Sequence, residues 1–284
     1  MVIESLLPWL IGMAGIFGLL IGSFLNVVVW RVPRGESLIP NSHCPRCDAP
    51  IRPWQNVPVL SWVLLRGRCA HCGESIGARY PLVEFGTGVA FALVTWWIGV
   101  WGPVGTTSSA SIGLPPLAWW FALAGYLWFA GAGIALTLID LEHQRLPDSI
   151  VLPSLIVVAT LLSVSAALSG EWGQLIATLG GGGALFVFYF FIVLVYPRGI
   201  GGGDVKLAPL VGVALGFAGW AQLVVGAFAG FLFGAVVGLM LIAMRRATRT
   251  SGIPFGPFML AGGWVGIVFG QSIAEAYFSL FGLR

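Results

Sequence analysis

The chain has 284 residues, of which 58% are hydrophobic and 9% charged, with a net charge of +3 and a mean hydropathy of +0.94. Soluble domains carry roughly 25% charged residues, so a soluble globule is excluded, and disorder needs the opposite balance of charge and apolarity. The 41 glycines show no three-residue period, which excludes collagen; what remains is an all-α membrane protein, a polytopic bundle of about eight transmembrane helices.

A helix needs about 20 mostly apolar residues to cross the hydrocarbon core. The first such run is 8–30, so residues 1–30 read as the first transmembrane helix. It opens with Glu4 instead of a basic stretch and is too long for the apolar region of a signal peptide, so a retained span is expected. Residues 31–80 are the one polar insert. Within it lie Cys44-Pro45-Arg46-Cys47 and Cys69-Ala70-His71-Cys72, separated by 21 residues, close to the spacing of four-cysteine zinc sites. Each pair can aim two thiolates at one metal, and two pairs complete a tetrahedron. Zinc is expected there as a structural ion, because thiolate tetrahedra otherwise suit only iron–sulfur chemistry. Free thiols or two disulfides are the alternatives. His43 and His71 stand beside the ligands and read as exposed loop residues.

Residues 81–284 hold the remaining spans, near 81–101, 116–139, 149–168, 174–196, 220–243 and 256–281. An eighth, 204–217, is short and carries Pro209, so a half-span or a helix starting within the membrane is also open. The run Gly180–Gly183 sits inside an apolar span without the strand and helix of a nucleotide-binding loop, and it reads as a small-residue packing surface. Gly226, Gly230, Gly234 and Gly238 read the same way. An ionisable residue at the edge of a span is a functional candidate by default. Asp140 ends the third span, and Asp204 opens the short one after Gly201-Gly202-Gly203. Two carboxylates at one depth can share a proton and activate water. Equally, Asp140 could terminate a helix and Asp204 could be an N-cap, as Asp148 after Pro147 is expected to be. Lys206 could pair with a carboxylate or extend to the interface, and a proton-relaying pair in a transporter is a further reading of the two aspartates.

Charge placement orients the chain. Seven arginines fall in 31–80, and with eight spans Arg145, Arg198, Lys206, Arg245, Arg246 and Arg249 fall on the same side, leaving only Arg284 opposite. The loops near 102–115, 169–173 and 218–219 have no Lys or Arg. The positive-inside rule then puts 31–80 and both aspartates at the cytoplasmic side and the N-terminus outside. A reducing cytoplasm disfavours disulfides in the insert.

Several stretches together resemble the bacterial type IV prepilin peptidases. They are Gly22-Ser23-Phe24-Leu25-Asn26-Val27-Val28 with Arg31-Val32-Pro33, the insert with its two CxxC pairs, and Asn56-Val57-Pro58. Leu65-Arg66-Gly67-Arg68-Cys69 and Arg79-Tyr80-Pro81-Leu82-Val83-Glu84 continue the match. Asp140 through Leu146-Pro147-Asp148 is similar to that family's first aspartate motif, and Gly201-Gly202-Gly203-Asp204-Val205-Lys206-Leu207 to its GxGD motif. The resemblance runs from residue 22 to the last span. It implies a multi-pass enzyme of the bacterial inner membrane that cleaves leaders from type IV prepilins and type II secretion pseudopilins after a glycine. It also implies methylation of the new N-terminal residue, usually phenylalanine, with S-adenosylmethionine as donor. Asp140 and Asp204 become the catalytic aspartates, supported by Gly201, Gly203, Lys206 and Glu84, and Cys44, Cys47, Cys69 and Cys72 become the zinc ligands. Peptidase activity alone is the near variant. Glu84 could serve either activity, or could be a membrane-edge carboxylate paired with Arg79 or Arg31. No residue is assigned to S-adenosylmethionine, and the partners expected are pilin substrates and the lipid bilayer, with no nucleic acid.

Overall fold

The computed structural model describes residues 2–39, 42–100, 116–196, 201–246 and 252–282. The loop 102–115 and Arg198, Arg249 and Arg284, which entered the charge pattern, lie outside the described residues. The described chain is helical: α1 Val2–Arg31, α2 Leu60–Leu64, α3 Arg79–Val100, α4 Pro116–His143, α5 Asp148–Leu168, α6 Trp172–Val195, α7 Gly202–Ala218, α8 Trp220–Ala243 and α9 Gly256–Leu280. Seven of these are long and apolar enough to cross a membrane, and they coincide with the seven clear runs of the sequence. The segment around 204–217 is α7, one continuous helix of 17 residues that passes through Pro209. At 1.5 Å per residue it is about 25 Å long, a little short of the hydrocarbon core.

The helices form two compact units, Met1–Val100 and Trp101–Arg284. In the first, α1 packs along α3. A Cβ at Gly22 would stand 2.6 Å from Glu84 Cα, so the backbones touch there. One turn on, buried Asn26 donates from Nδ2 to Tyr80 O at 3.1 Å. The stretches 22–28 and 79–84 are therefore the two sides of one helix seam.

In the second unit α7 lies at the centre, against α5, α6, α8 and α9. Twelve of its 17 residues are buried. In lipid, helices gain little from the hydrophobic effect, and close van der Waals contact between small residues takes its place. The glycine run of α6 supplies that contact: a Cβ on Gly181 would meet Gly212 O at 2.6 Å, and one on Gly216 would collide with Ala177 O. Gly226 and Gly230 of α8 likewise meet Gly262 and Met259 of α9. Hydrogen bonds reinforce the centre, from Tyr126 Oη to Ala214 O at 2.9 Å and from Gln174 Nε2 to Phe217 O at 2.9 Å. Gly219 alone separates α7 from α8, and its φ of +139° is open to glycine without strain.

Candidate active site and metal centre

Asp140 lies in the last turn of α4, three residues before its end at His143, so it does not terminate the helix. Its side chain is 5% exposed. Oδ2 accepts the N–H of Gly256 at 3.2 Å, at the first turn of α9. Asp204 is 7% exposed and occupies the third position of α7, not the N-cap, which is Gly201. Its Oδ2 reaches back to accept the Gly201 N–H at 3.1 Å, so it satisfies a donor that the helix itself leaves without a partner. Each carboxylate therefore meets the positive end of a helix. The helix starts that hold them meet at one side chain, Leu146, which a Cβ on Gly256 would touch at 3.4 Å and one on Gly203 at 3.2 Å.

Glycines shape the space around the pair. A Cβ on Gly201 would meet Asp204 Oδ2 at 3.3 Å, and one on Gly203 would meet Leu146 Cβ at 3.2 Å. A Cβ on Gly256 would stand 2.8 Å from Asp140 Oδ2. Gly202 has nothing within 4 Å, which leaves open backbone beside Asp204. An aromatic group backs the site. Tyr189 is buried, stacks on Phe231 at 5.4 Å and 14°, and touches Phe255, the residue before Gly256. Tyr189 also lies within electrostatic reach of Asp204.

One sequence expectation changes here. Asp148 is not a cap: the N-cap of α5 is Pro147, and no side-chain cap bond forms. Asp148 stands one residue inside the helix, where its carboxylate accepts both hydrogen bonds of Lys206 Nζ, at 2.7 and 2.9 Å. Lys206 thus pairs with Asp148, tying the first turn of α5 to that of α7. Glu84 also has a backbone partner. Its buried carboxylate accepts the Val59 N–H at 2.7 Å. Val59 has φ +61°, costly for a β-branched residue. Gly256 and Tyr189 were not foreseen, and Leu146 was noted only as part of the first aspartate motif. Gly256 is 116 residues from its partner Asp140, and its one sequence signal is the helix-start pattern Phe255-Gly256-Pro257.

The insert brings all four cysteine sulfurs within 4.8 Å of one another, with Cys44 Sγ and Cys72 Sγ 3.8 Å apart. A thiolate tetrahedron with metal–sulfur bonds of about 2.3 Å has sulfurs about 3.8 Å apart. The cysteines are free, so the disulfide alternative fails. Two knuckles repeat the same backbone. Asp48 N–H donates to Cys44 O at 2.9 Å and Gly73 N–H to Cys69 O at 3.0 Å, while Cys44 N–H donates to Ala49 O and Cys69 N–H to Glu74 O. Asp48 and Gly73 both take positive φ, 56° and 71°. Short bridges His43–Pro50 and Arg68–Ser75 close the two loops. The knuckles are an internal repeat that the sequence hides, because besides the cysteines only Ile51 and Ile76 coincide. Backbone N–H groups of Cys72 and His71 aim at Cys69 and bring its thiol down, while the crowded sulfurs of Cys47, Cys69 and Cys44 help push Cys72 up. An Arg46–Glu74 ion pair joins the knuckles. His43 is exposed and lies 3.7 Å from Asp48, outside the thiol cluster. The donor set and spacing fit one tetrahedral metal ion. The described residues present no comparable cradle for S-adenosylmethionine, and none is assigned to it.

Comparison with known proteins follows the same division. Residues 16–98 match the bacterial peptidase A24 N-terminal domain, and residues 126–239 match the type IV leader peptidase family. A prepilin leader peptidase/N-methyltransferase of Stutzerimonas stutzeri is 33% identical over 92% of this chain and 91% of its own. The protein of the same name from Pseudomonas aeruginosa is 33% identical over 95% and 93%. That from Neisseria gonorrhoeae is 32% identical over 96% of each. No solved structure matches the chain.

Proposed function

This chain belongs to the type IV leader peptidase family, and from that premise we propose that it removes the leader from prepilins and then methylates the new N-terminal amine. Asp140 and Asp204 are the catalytic pair. The observation that carries this reading is their convergence from α4 and α7, each buried and each held by a backbone N–H at a helix start. In the reaction one carboxylate is ionised and takes a proton from a water between them. The water oxygen attacks the scissile carbonyl carbon while the other carboxyl gives its proton to the carbonyl oxygen. The tetrahedral intermediate then expels the amine, which takes up the proton held by the first carboxylate, while one hydroxyl of the intermediate returns its proton to the second carboxylate as the new carboxyl group forms. Gly201 and Gly203 keep the approach to Asp204 narrow and free of side chains. Lys206 acts through Asp148, as a tether between helix ends.

Zinc is the metal proposed for Cys44, Cys47, Cys69 and Cys72, where it supplies a structural staple to an insert with little core of its own. S-adenosylmethionine supplies the methyl group. Type II secretion pseudopilins are proposed as substrates beside prepilins. The proposed setting is the bacterial inner membrane, with the N-terminus outside and residues 31–80 and the aspartates facing the cytoplasm. The peptidase core is proposed to lie within 81–284, and both aspartates belong to its second unit. The test is incubation of purified enzyme with a prepilin and S-adenosylmethionine, followed by mass measurement. The expected product has lost its leader and gained one methyl group. An intact prepilin mass would overturn the proposal.

A further inference from the structure

The insert carries an apolar face turned outward. Leu60, Val63 and Leu64 form one stripe on α2, with Leu60 62% and Leu64 81% exposed. Trp54, in the turn just before, is 62% exposed. The orientation of α2 is fixed from within. Trp62 points inward, donates from Nε1 to Ile76 O at 3.0 Å, and lies against Gly67, where a Cβ would meet the ring at 2.9 Å. Ser61 Oγ is taken by Val57 O at 2.7 Å. The face that remains is apolar, the reverse of what water favours.

The position of α2 says what covers it. Its entry residue, Val59, is hydrogen-bonded to Glu84, which lies five residues into α3, a helix long and apolar enough to span. At 1.5 Å per residue, Glu84 is about 7.5 Å from the start of α3 at Arg79. The beginning of α2 is therefore pinned beside the first two turns of a helix long and apolar enough to span. Flanking the stripe along the chain, Arg52, Arg66 and Arg68 are all exposed, and the stretch 51–73 contains no acidic residue. Arg52 also lies over the Trp54 ring at 5.1 Å. Exposed apolar side chains and a tryptophan, with exposed arginines on both sides in the chain and no acidic residue among them, suit a surface of anionic phospholipid.

We propose that α2 and Trp54 dock the metal-binding insert onto the bilayer surface, with Leu60, Val63, Leu64 and Trp54 in the acyl boundary and Arg52, Arg66 and Arg68 on lipid phosphates. The docking holds the insert flat against the membrane at the end of α3. A basic leader gains nothing from a stretch that carries arginines and no acidic residue, so a lipid occupant is favoured over the substrate. The test uses full-length enzyme in nanodiscs of phosphatidylcholine and phosphatidylglycerol, with a phospholipid carrying a diazirine on its acyl chain. After illumination, adducts are mapped by mass spectrometry. Adducts are expected on 54–64 as well as on α3. Leu64→Glu alters a side chain that faces outward, so metal content should persist while adducts on 54–64 fall to the level of the exposed knuckle 45–48. Replacing phosphatidylglycerol with phosphatidylcholine should lower the same adducts and leave those on α3. Labelled α3 with an unlabelled 54–64 would overturn the proposal. So would labelling of 54–64 indifferent to Leu64→Glu or to lipid charge.

Discussion

Replacing Gly256 by alanine tests how Asp140 is held. Gly256 opens α9 with a backbone that alanine also adopts, and alanine is favoured over glycine within a helix by roughly 0.5–1 kcal/mol. The added methyl is the perturbation. Its carbon would lie 2.8 Å from Asp140 Oδ2, about 0.6 Å inside ordinary contact, with Leu146 Cδ1 on its other side at 3.4 Å. The carboxylate must swing away, which also lengthens its hydrogen bond to the Gly256 N–H. A displacement of 1 Å can cost about a hundredfold in rate, so kcat for leader cleavage should fall on the order of ten- to a hundredfold. Thermal stability and metal content should stay near wild type. The assay is the cleavage rate of a purified prepilin in detergent, beside a melting curve. Gly183→Ala is the control, since nothing lies within 4 Å of a Cβ there. Full activity in Gly256→Ala would refute the reasoning, as would a loss explained by unfolding.

The remaining predictions concern the supports. Cys69→Ser should abolish metal binding, read as metal content per chain, because three thiolates no longer complete the tetrahedron. Asp148→Asn breaks the half-exposed pair with Lys206; such pairs are worth about 0–1 kcal/mol, so a melting curve should shift little and cleavage should persist. Gly216→Val pushes side-chain atoms into Ala177 O and should cost about 1–3 kcal/mol or more by overpacking, seen as a lowered melting temperature. Its failure to destabilise would remove the close α6–α7 seam from the account.

What the sequence could show was set by distance along the chain. Seven spans, the CxxC pairs and the aspartates with their flanking glycines announce themselves within a few residues, because hydropathy, ligand spacing and charge burial are local signals. The glycine run of α6 was also legible, since a polar nucleotide loop cannot stand inside an apolar helix. Asp148 was misread because Asp after Pro suits a cap; the chain enters the helix one residue earlier, and Lys206, 58 residues on, claims the carboxylate. Glu84 to Val59 and Asp140 to Gly256 are likewise contacts of chain to backbone, for which a sequence carries no residue-type signature. The 25-residue offset of the two knuckles stayed hidden because turns such as Asp48 and Gly73 share a φ value and not an identity.

The central claim is that Asp140 and Asp204 together hydrolyse the leader peptide bond. It is tested most directly by single-turnover cleavage of a prepilin by Asp140→Asn and Asp204→Asn, each checked for metal content and for methylation of a pilin already cleaved. An amide can neither take a proton from water nor give one to the carbonyl oxygen. Both variants should therefore show no cleavage while keeping their metal and methylating the cleaved pilin. Cleavage at a measurable fraction of the wild-type rate in either variant would contradict the account.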